Sequence, residues 1–303
     1  MNRYYLLLRS FVVCLCIVAG HALQAQVIYV TPNGAGDQSG SNWANAAPGS
    51  QLQNKMDAAW DGSEIWVSKG TYYPTSYPAN SVFTGSYSPS ARNYSFYLKS
   101  GVTMYGGFAG GETNLGLRNL LYNPTVLSGD IGVAGNSADN CFHVVVSLGG
   151  NNATALDGFI IRDGNANLNS FGSHTVSGAT VSSDIAPGIL LINSAAKFRN
   201  CEISNTSSLS FGAVYNNDYS STVFTNCIFL DNSAGIGTIS NSGTISLINC
   251  LLFGNTTQYT AVNYGNASFT NCNIIYNTGT GFVNFTGSAT LSNCVIWGKY
   301  QII

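Results

Sequence analysis

Asp130, Asp157, Arg162 and Asp163 form the densest group of charged residues in the sequence. Cleaving a glycosidic bond would need such a set: clustered carboxylates and a base, with a hydrolase placing two acids on opposite sides of the bond. Asp157 and Asp163, however, sit beside Gly158 and Gly164, where a carboxylate serves as a corner cap on a strand end. Downstream the acids thin out. From 165 to 303 there are only Asp184, Glu202, Asp218 and Asp231, at no fixed spacing. No catalytic residue is assigned. No cofactor is expected: Gly106-Gly-Phe-Ala-Gly-Gly111 lacks the Lys and Ser/Thr that a phosphate loop needs after it. No metal site is expected either, because there is no Cys-x-x-Cys pair and only His143 and His174 follow the leader.

The elements that would have to position any such residues announce themselves by repetition. Five times the chain spells an apolar residue, a spacer and Asn-Cys: Phe198 to Cys201, Phe224 to Cys227, Leu247 to Cys250, Phe269 to Cys272 and Leu291 to Cys294. The cysteines step by 26, 23, 22 and 22 residues. About 22 residues is too short for a helix pair and fits one coil of a solenoid, whose units bury their apolar faces only by stacking. The expected fold is all-β, a parallel β-helix. A second asparagine series ends a shorter strand in each unit: Asn193, Asn216, Asn241, Asn263 and Asn284. A third follows the cysteines: Asn205, Asn232, Asn255 and Asn277. Parallel strands stack about 4.8 Å apart, so equivalent positions form columns. Asparagine tolerates the left-handed backbone of a corner, and stacked amides bond along the axis.

Charged residues are 8% of the chain, apolar residues 45%, and 34 of 303 are glycine. That balance suits β-corners and is not a disorder signature. Residues 1–25 read as an export signal, with Arg3 and Arg9 ahead of an apolar run from Phe11 to Ala19 that is too short to span a membrane. Without that leader the net charge is about −4. There is no basic patch, so nucleic acid is not an expected partner, and the mature chain has no transmembrane helix. Of eight cysteines, two fall in the leader and five recur with the coil, which points to stacked free thiols rather than bridges.

Ahead of the repeats, Val27 to Val30 reads as a strand. Residues 50–60 read as an amphipathic helix with Leu52, Met56, Ala59 and Trp60 on one face. Such a helix would cover the open apolar end of the solenoid, with Glu64 to Val67 as the first strand of the stack. The expected organisation is a signal at 1–25, a strand, loop and capping helix at 26–63, and a β-helix at 64–303. Because the sequence stops just after the fifth Asn-Cys strand, the solenoid is expected to be incomplete at its C-terminus.

Several segments carry a resemblance. Tyr29 to Gly34, Gly40 to Ala44, Glu64 to Val67, Gly70 to Pro74, Gly101 to Phe108, Leu127 to Asp130 and Leu156 to Ile161 resemble secreted bacterial right-handed parallel β-helix proteins of the pectin-lyase-like superfamily. The Asn-Cys coils resemble the same proteins and, more loosely, the repeats of chlamydial polymorphic outer-membrane proteins: Phe229-Leu-Asp-Asn232 matches the Phe-x-x-Asn half, and Gly212 to Tyr215 is a degraded Gly-Gly half. The resemblance implies a right-handed solenoid and export to the outside of the cell or its surface, with outer-membrane association in view. It implies no single activity, since the superfamily spans enzymes, adhesins and passengers. Related lyases bind Ca²⁺ through several Asp and use an Arg or Lys base; an Asp-Asp pair and a Gly-His-Gly, which the hydrolases carry, are absent.

Two insertions interrupt the coils. Residues 75–93 carry Tyr77, Phe83 and Tyr87, either as a platform for sugar rings or as aromatics packed on the cap. Residues 165–187 carry His174 and Asp184. The sparse acids favour a non-catalytic secreted or cell-surface protein, with adhesion or binding of extracellular polysaccharide or host glycans as its use. The alternative is a polysaccharide lyase or glycoside hydrolase.

Overall fold

The structure is a computed structural model that describes residues 26–84, 88–168 and 172–302; the leader and Tyr87 lie outside them. Most of its strands stack in parallel as three rows, each coil from Glu64 onward contributing a strand to each row. The first row contains Val27–Thr31, Glu64–Ser68, Thr103–Phe108, Ala155–Asp157, Lys197–Arg199, Ser221–Thr225, Thr244–Ile248, Asn266–Thr270 and Ser288–Ser292. The second row includes Ile160–Arg162, Glu202–Ser204, Ile228–Leu230 and Leu251–Phe253, and the third includes Val145–Leu148, Ile189–Ile192 and Val214–Asn216. The stack begins with Val27–Thr31, paired in parallel with Glu64–Ser68, so Glu64 to Val67 is not its first strand.

Register explains the repeat. Leu156, Phe198, Phe224, Leu247, Phe269 and Leu291 pair in succession down the first row. Alternate residues of a strand face one side, so these six line the interior. The rings of Phe198 and Phe224 stack 4.8 Å apart, the spacing of neighbouring parallel strands. Cys201, Cys227, Cys250, Cys272 and Cys294 form the column beside them, all free. Each Sγ donates to a carbonyl of the preceding coil at 3.5 Å, from Leu156 under Cys201 to Phe269 under Cys294. The thiols of Cys201 and Cys250, then burial, hold Cys227 well above the ordinary thiol range.

The asparagines divide into three ladders. Asn200, Asn226, Asn249, Asn271 and Asn293 take φ between 52° and 55° at the corner between the first and second rows. Their carboxamides run along the surface, Asn271 donating to Asn249, Asn249 to Asn226 and Asn226 to Asn200 at 3.1–3.2 Å. Gly158, at φ 83°, takes the same place one coil earlier. The second ladder is buried up to its exposed last member, Asn284: Asn216 donates to Asn241, Asn241 to Asn263 and Asn263 to Asn284 at 2.6–2.7 Å. The third, also buried, links Asn232, Asn255 and Asn277.

Two asparagines stand outside the ladders expected for them. Leu191, not Asn193, pairs with Asn216, and Asn193 is exposed at φ 51°. Register sets Ser204 beside Leu230, which puts Thr206 in line with Asn232, and Thr206 Oγ1 donates to the Asn232 amide oxygen at 2.7 Å. Asn205 lies one residue earlier, where Asp231, Gly254 and Tyr276 also have positive φ.

At the N-terminal end the helix is Leu52–Ala58, shorter than 50–60. Leu52, Met56 and Ala59 join the interior beside Ile28, Val30 and Ile65. Trp60 does not: after Ala59 the backbone is extended, and Trp60 is 53% exposed. The helix also satisfies an edge. Gln53 accepts from the Tyr97 N–H at 2.9 Å and donates to the Tyr97 carbonyl at 3.1 Å.

Candidate functional site

The charged residues singled out by sequence are spread along the coils and committed to turns. Asp157 accepts from Arg118 Nη1 at 3.3 Å and from Asn200 Nδ2 at 2.9 Å. Asp163, at φ 63°, pairs with Arg162 at 3.0 Å and accepts from Ser128 Oγ at 2.8 Å. Asp130 accepts from the Gly135 N–H at 3.0 Å. Asp184 accepts from Ser182 and Ser210, and Glu202 accepts from Ser204 at 2.7 Å. The glycine-rich run Gly106 to Gly111 does make an anion nest, as successive N–H groups can, but the chain fills it itself. N–H groups of Ala109, Gly110 and Gly111 converge on Glu112. Partial burial opposes its charge, yet those donors hold the carboxyl below its ordinary range.

Arg118 is the functional neighbour that sequence reasoning missed. It lies 39 residues from Asp157 in a loop without periodicity, and its guanidinium also sits 5.0 Å from the Tyr105 ring centre. No local signal links it to the coil it reaches.

The insertions pack on each other. Residues Ser173–Val176 and Ala179–Ser182 form an antiparallel hairpin, joined by Ser81–Val82. Val176 and Val181 cover Val146 and Leu190 on the outer face of the third row. Tyr77 meets Phe83 and Tyr94 edge-on, and Phe83 stacks on His174 at 4.7 Å. These aromatics therefore pack against the second insertion. His143 is buried beneath the hairpin, with Nδ1 3.0 Å from the Ala186 carbonyl. Burial pushes His143 down to about 4; burial and then His143 push His174 down to about 4.

The groove of interest lies at the corner between the first and second rows, with a volume of about 450 Å³. Leu120 and Leu121 from the Arg118 loop form one wall; Asn200, Asn226, Glu202 and Ile228 form the other. Leu121 is 80% exposed. The arrangement offers a row of carboxamides, apolar side chains and one carboxylate. Among the described residues, no group of three His, Cys, Asp or Glu could hold a metal ion, and no helix is long and apolar enough to cross a membrane.

Residues 163–302 match the family described as "right handed beta helix region". That stretch is a right-handed parallel β-helix, and the same parallel rows run on through the coils before it. No curated protein matches its sequence. Among solved structures it is similar to pectate lyase Pel9A, at 12% identity over 90% of this chain and 79% of that one, with a TM-score of 0.38. It is also similar to ORF18 of Geobacillus virus E2, at 13% identity over 91% of this chain and 62% of that one, with a TM-score of 0.24.

Proposed function

We propose that this is an exported, non-catalytic β-helix protein that binds extracellular glycans at the cell surface, with residues 1–25 as the export signal. The observation that carries the reading is the composition of the corner groove. Exposed carboxamides and an apolar wall suit the hydroxyls and C–H faces of a sugar chain, whereas Glu202 is its single carboxylate and general-acid hydrolysis uses two. Asp130, Asp157, Asp163 and Asp184 serve as acceptors that hold loops and corners, which supports binding over bond cleavage.

Affinity electrophoresis through gels containing polygalacturonate, alginate, xylan or glucomannan tests the binding. Parallel assays for unsaturated products and new reducing ends test the chemistry. The expected result is retardation in at least one gel with no product. Turnover of any polymer would favour the lyase or hydrolase reading, and migration unaffected by every gel would overturn both.

A further inference from the structure

A second surface, at the corner between the third and first rows, is set apart by its lack of charge. From Asn232 to Gly298 the sequence contains no Asp, Glu, Lys, Arg or His. Within that stretch the pairing of Asn241 with Asn263 and of Asn263 with Asn284 brings the residues after them, Ser242, Tyr264 and Phe285, into one column. The rings of Tyr264 and Phe285 stack at 5.2 Å and 13°, and Tyr259 meets Phe285 edge-on at 5.6 Å. Tyr264 remains 37% exposed and Phe285 48% exposed.

The column breaks at Ser242. Where the next ring would stack, the residue is small, so the face of Tyr264 turned away from Phe285 borders a notch about one coil, ~4.8 Å, high. Neutral hydrogen-bonding groups flank the stack at both ends, the Ser242 end and the Phe285 end. The Tyr215 hydroxyl lies 3.5 Å from Ser242 Oγ, and Gln258 Nε2 donates to the Tyr259 hydroxyl at 3.0 Å. Burial, then the neighbouring phenols of Tyr259 and Tyr215, push the Tyr264 hydroxyl up, so it stays a neutral donor. On the outward side of the strand beneath, Ser240 Oγ is buried with no partner among the described residues.

We propose that this notch binds an uncharged glycan, one pyranose ring lying on Tyr264 over Ser242. A flat aromatic face offers the C–H side of a pyranose a large, rigid apolar contact, and the surrounding phenols, hydroxyl and amide match sugar hydroxyls. Charge selects the class of glycan. A uronate polymer would meet no cation here, and the charge nearest in the adjoining turn is the acid Asp218. The inference rests on the glycan-binding reading, but at a different corner from the groove.

Isothermal titration of the full mature chain with cellohexaose, mannohexaose and hexagalacturonate tests it, alongside Tyr264→Ala, Tyr264→Phe, Ser242→Trp and, in the groove, Ile228→Trp. Circular dichroism checks folding of each variant. The expected result is binding of a neutral hexasaccharide that weakens at least tenfold in Tyr264→Ala and in Ser242→Trp and weakens less in Tyr264→Phe. Preference for hexagalacturonate would overturn the proposal. So would binding lost only in Ile228→Trp, which leaves glycan binding intact but places it in the groove. A wild-type dimer abolished by Tyr264→Ala would assign the face to a second copy and overturn it as well. Absence of any binding to these sugars would overturn this site, while gel retardation by other polymers would still support glycan binding.

Discussion

Asn200 donates its carboxamide to Asp157 at 2.9 Å and so ends the outer asparagine ladder on a carboxylate that Arg118 also meets, at 3.3 Å. Chains of hydrogen bonds polarise one another, and a charged acceptor at the end makes the last bond a strong one. Asp157 is thus a corner cap tying a loop to the stack. Replacing it with Ala should destabilise the protein by about 2–3 kcal/mol, because Arg118 and Asn200 both lose a partner. Asp157→Asn, which keeps an acceptor, should cost about 1 kcal/mol. Urea unfolding checks both; equal losses would mean that the amide oxygen does not replace the carboxylate.

The outer and inner ladders should respond to different substitutions. Asn226 holds a left-handed backbone at φ 55°, where Ala costs roughly 1–2 kcal/mol and Gly does not. Asn226→Gly should therefore be milder than Asn226→Ala. Asn255 is fully buried and bonds Asn277, the Phe229 carbonyl and Asn232. Asn255→Ala should cost about 3 kcal/mol or more, since each partner left unpaired costs about 1–3 kcal/mol. Asn255→Gly should offer no rescue. Thermal and urea unfolding of the four variants separates backbone strain from lost bonding.

The capping helix makes a prediction with its own control. Met56 is fully buried, so Met56→Asp should destabilise by roughly 4 kcal/mol, the scale of an unpaired buried charge. It should also promote self-association, read by light scattering, as apolar surface opens. Trp60→Ala, at an exposed site, should stay within about 0.5 kcal/mol of the parent. A stable, monomeric Met56→Asp variant would show that the helix covers no core.

Acid should loosen the region under the hairpin. His143 is held at about 4 by burial, opposed by its bond to Ala186, by Asp184 and by the Ser182 backbone; His174, beside it, is also held at about 4. Above about 6.5 both rings are neutral folded or unfolded, and pH has no effect through them. Between about 6.5 and 4 the unfolded chain binds protons that the folded chain does not, so stability falls as pH falls. Below about 4 the folded rings protonate too and the loss levels off. The His143 contribution amounts to roughly 3 kcal/mol. Unfolding midpoints measured across this window should drop, and His174→Phe should reduce the slope; a flat profile in the wild type would count against neutral burial.

The cysteine column should be redox-silent. Thiol titration of the denatured, unreduced chain from residue 26 onward should find six free thiols, matching Cys141 and the five column members. Cys250→Ala should cost about 1–2 kcal/mol through a small cavity. Finding four or fewer thiols would mean that bridges form.

What the sequence determined by itself is the solenoid. Only a stack of near-identical coils makes Phe, Asn and Cys recur together every 22 or so residues, because parallel pairing converts sequence period into columns of contact. The left-handed corners, the free thiols and the buried face of Leu52 and Met56 follow from residue type at those positions. Register was less legible. Asn193 and Asn205 fit the spacing yet miss the ladders, since a shift of one or two residues in an insertion-bearing coil changes which side chain meets the neighbour. Only the tertiary structure decided the rest: that Arg118 closes on Asp157, that Phe83 stacks on His174, and that Glu112 fills the glycine nest. These contacts join loops of different lengths, whose paths are set by what they pack against and leave no period to read.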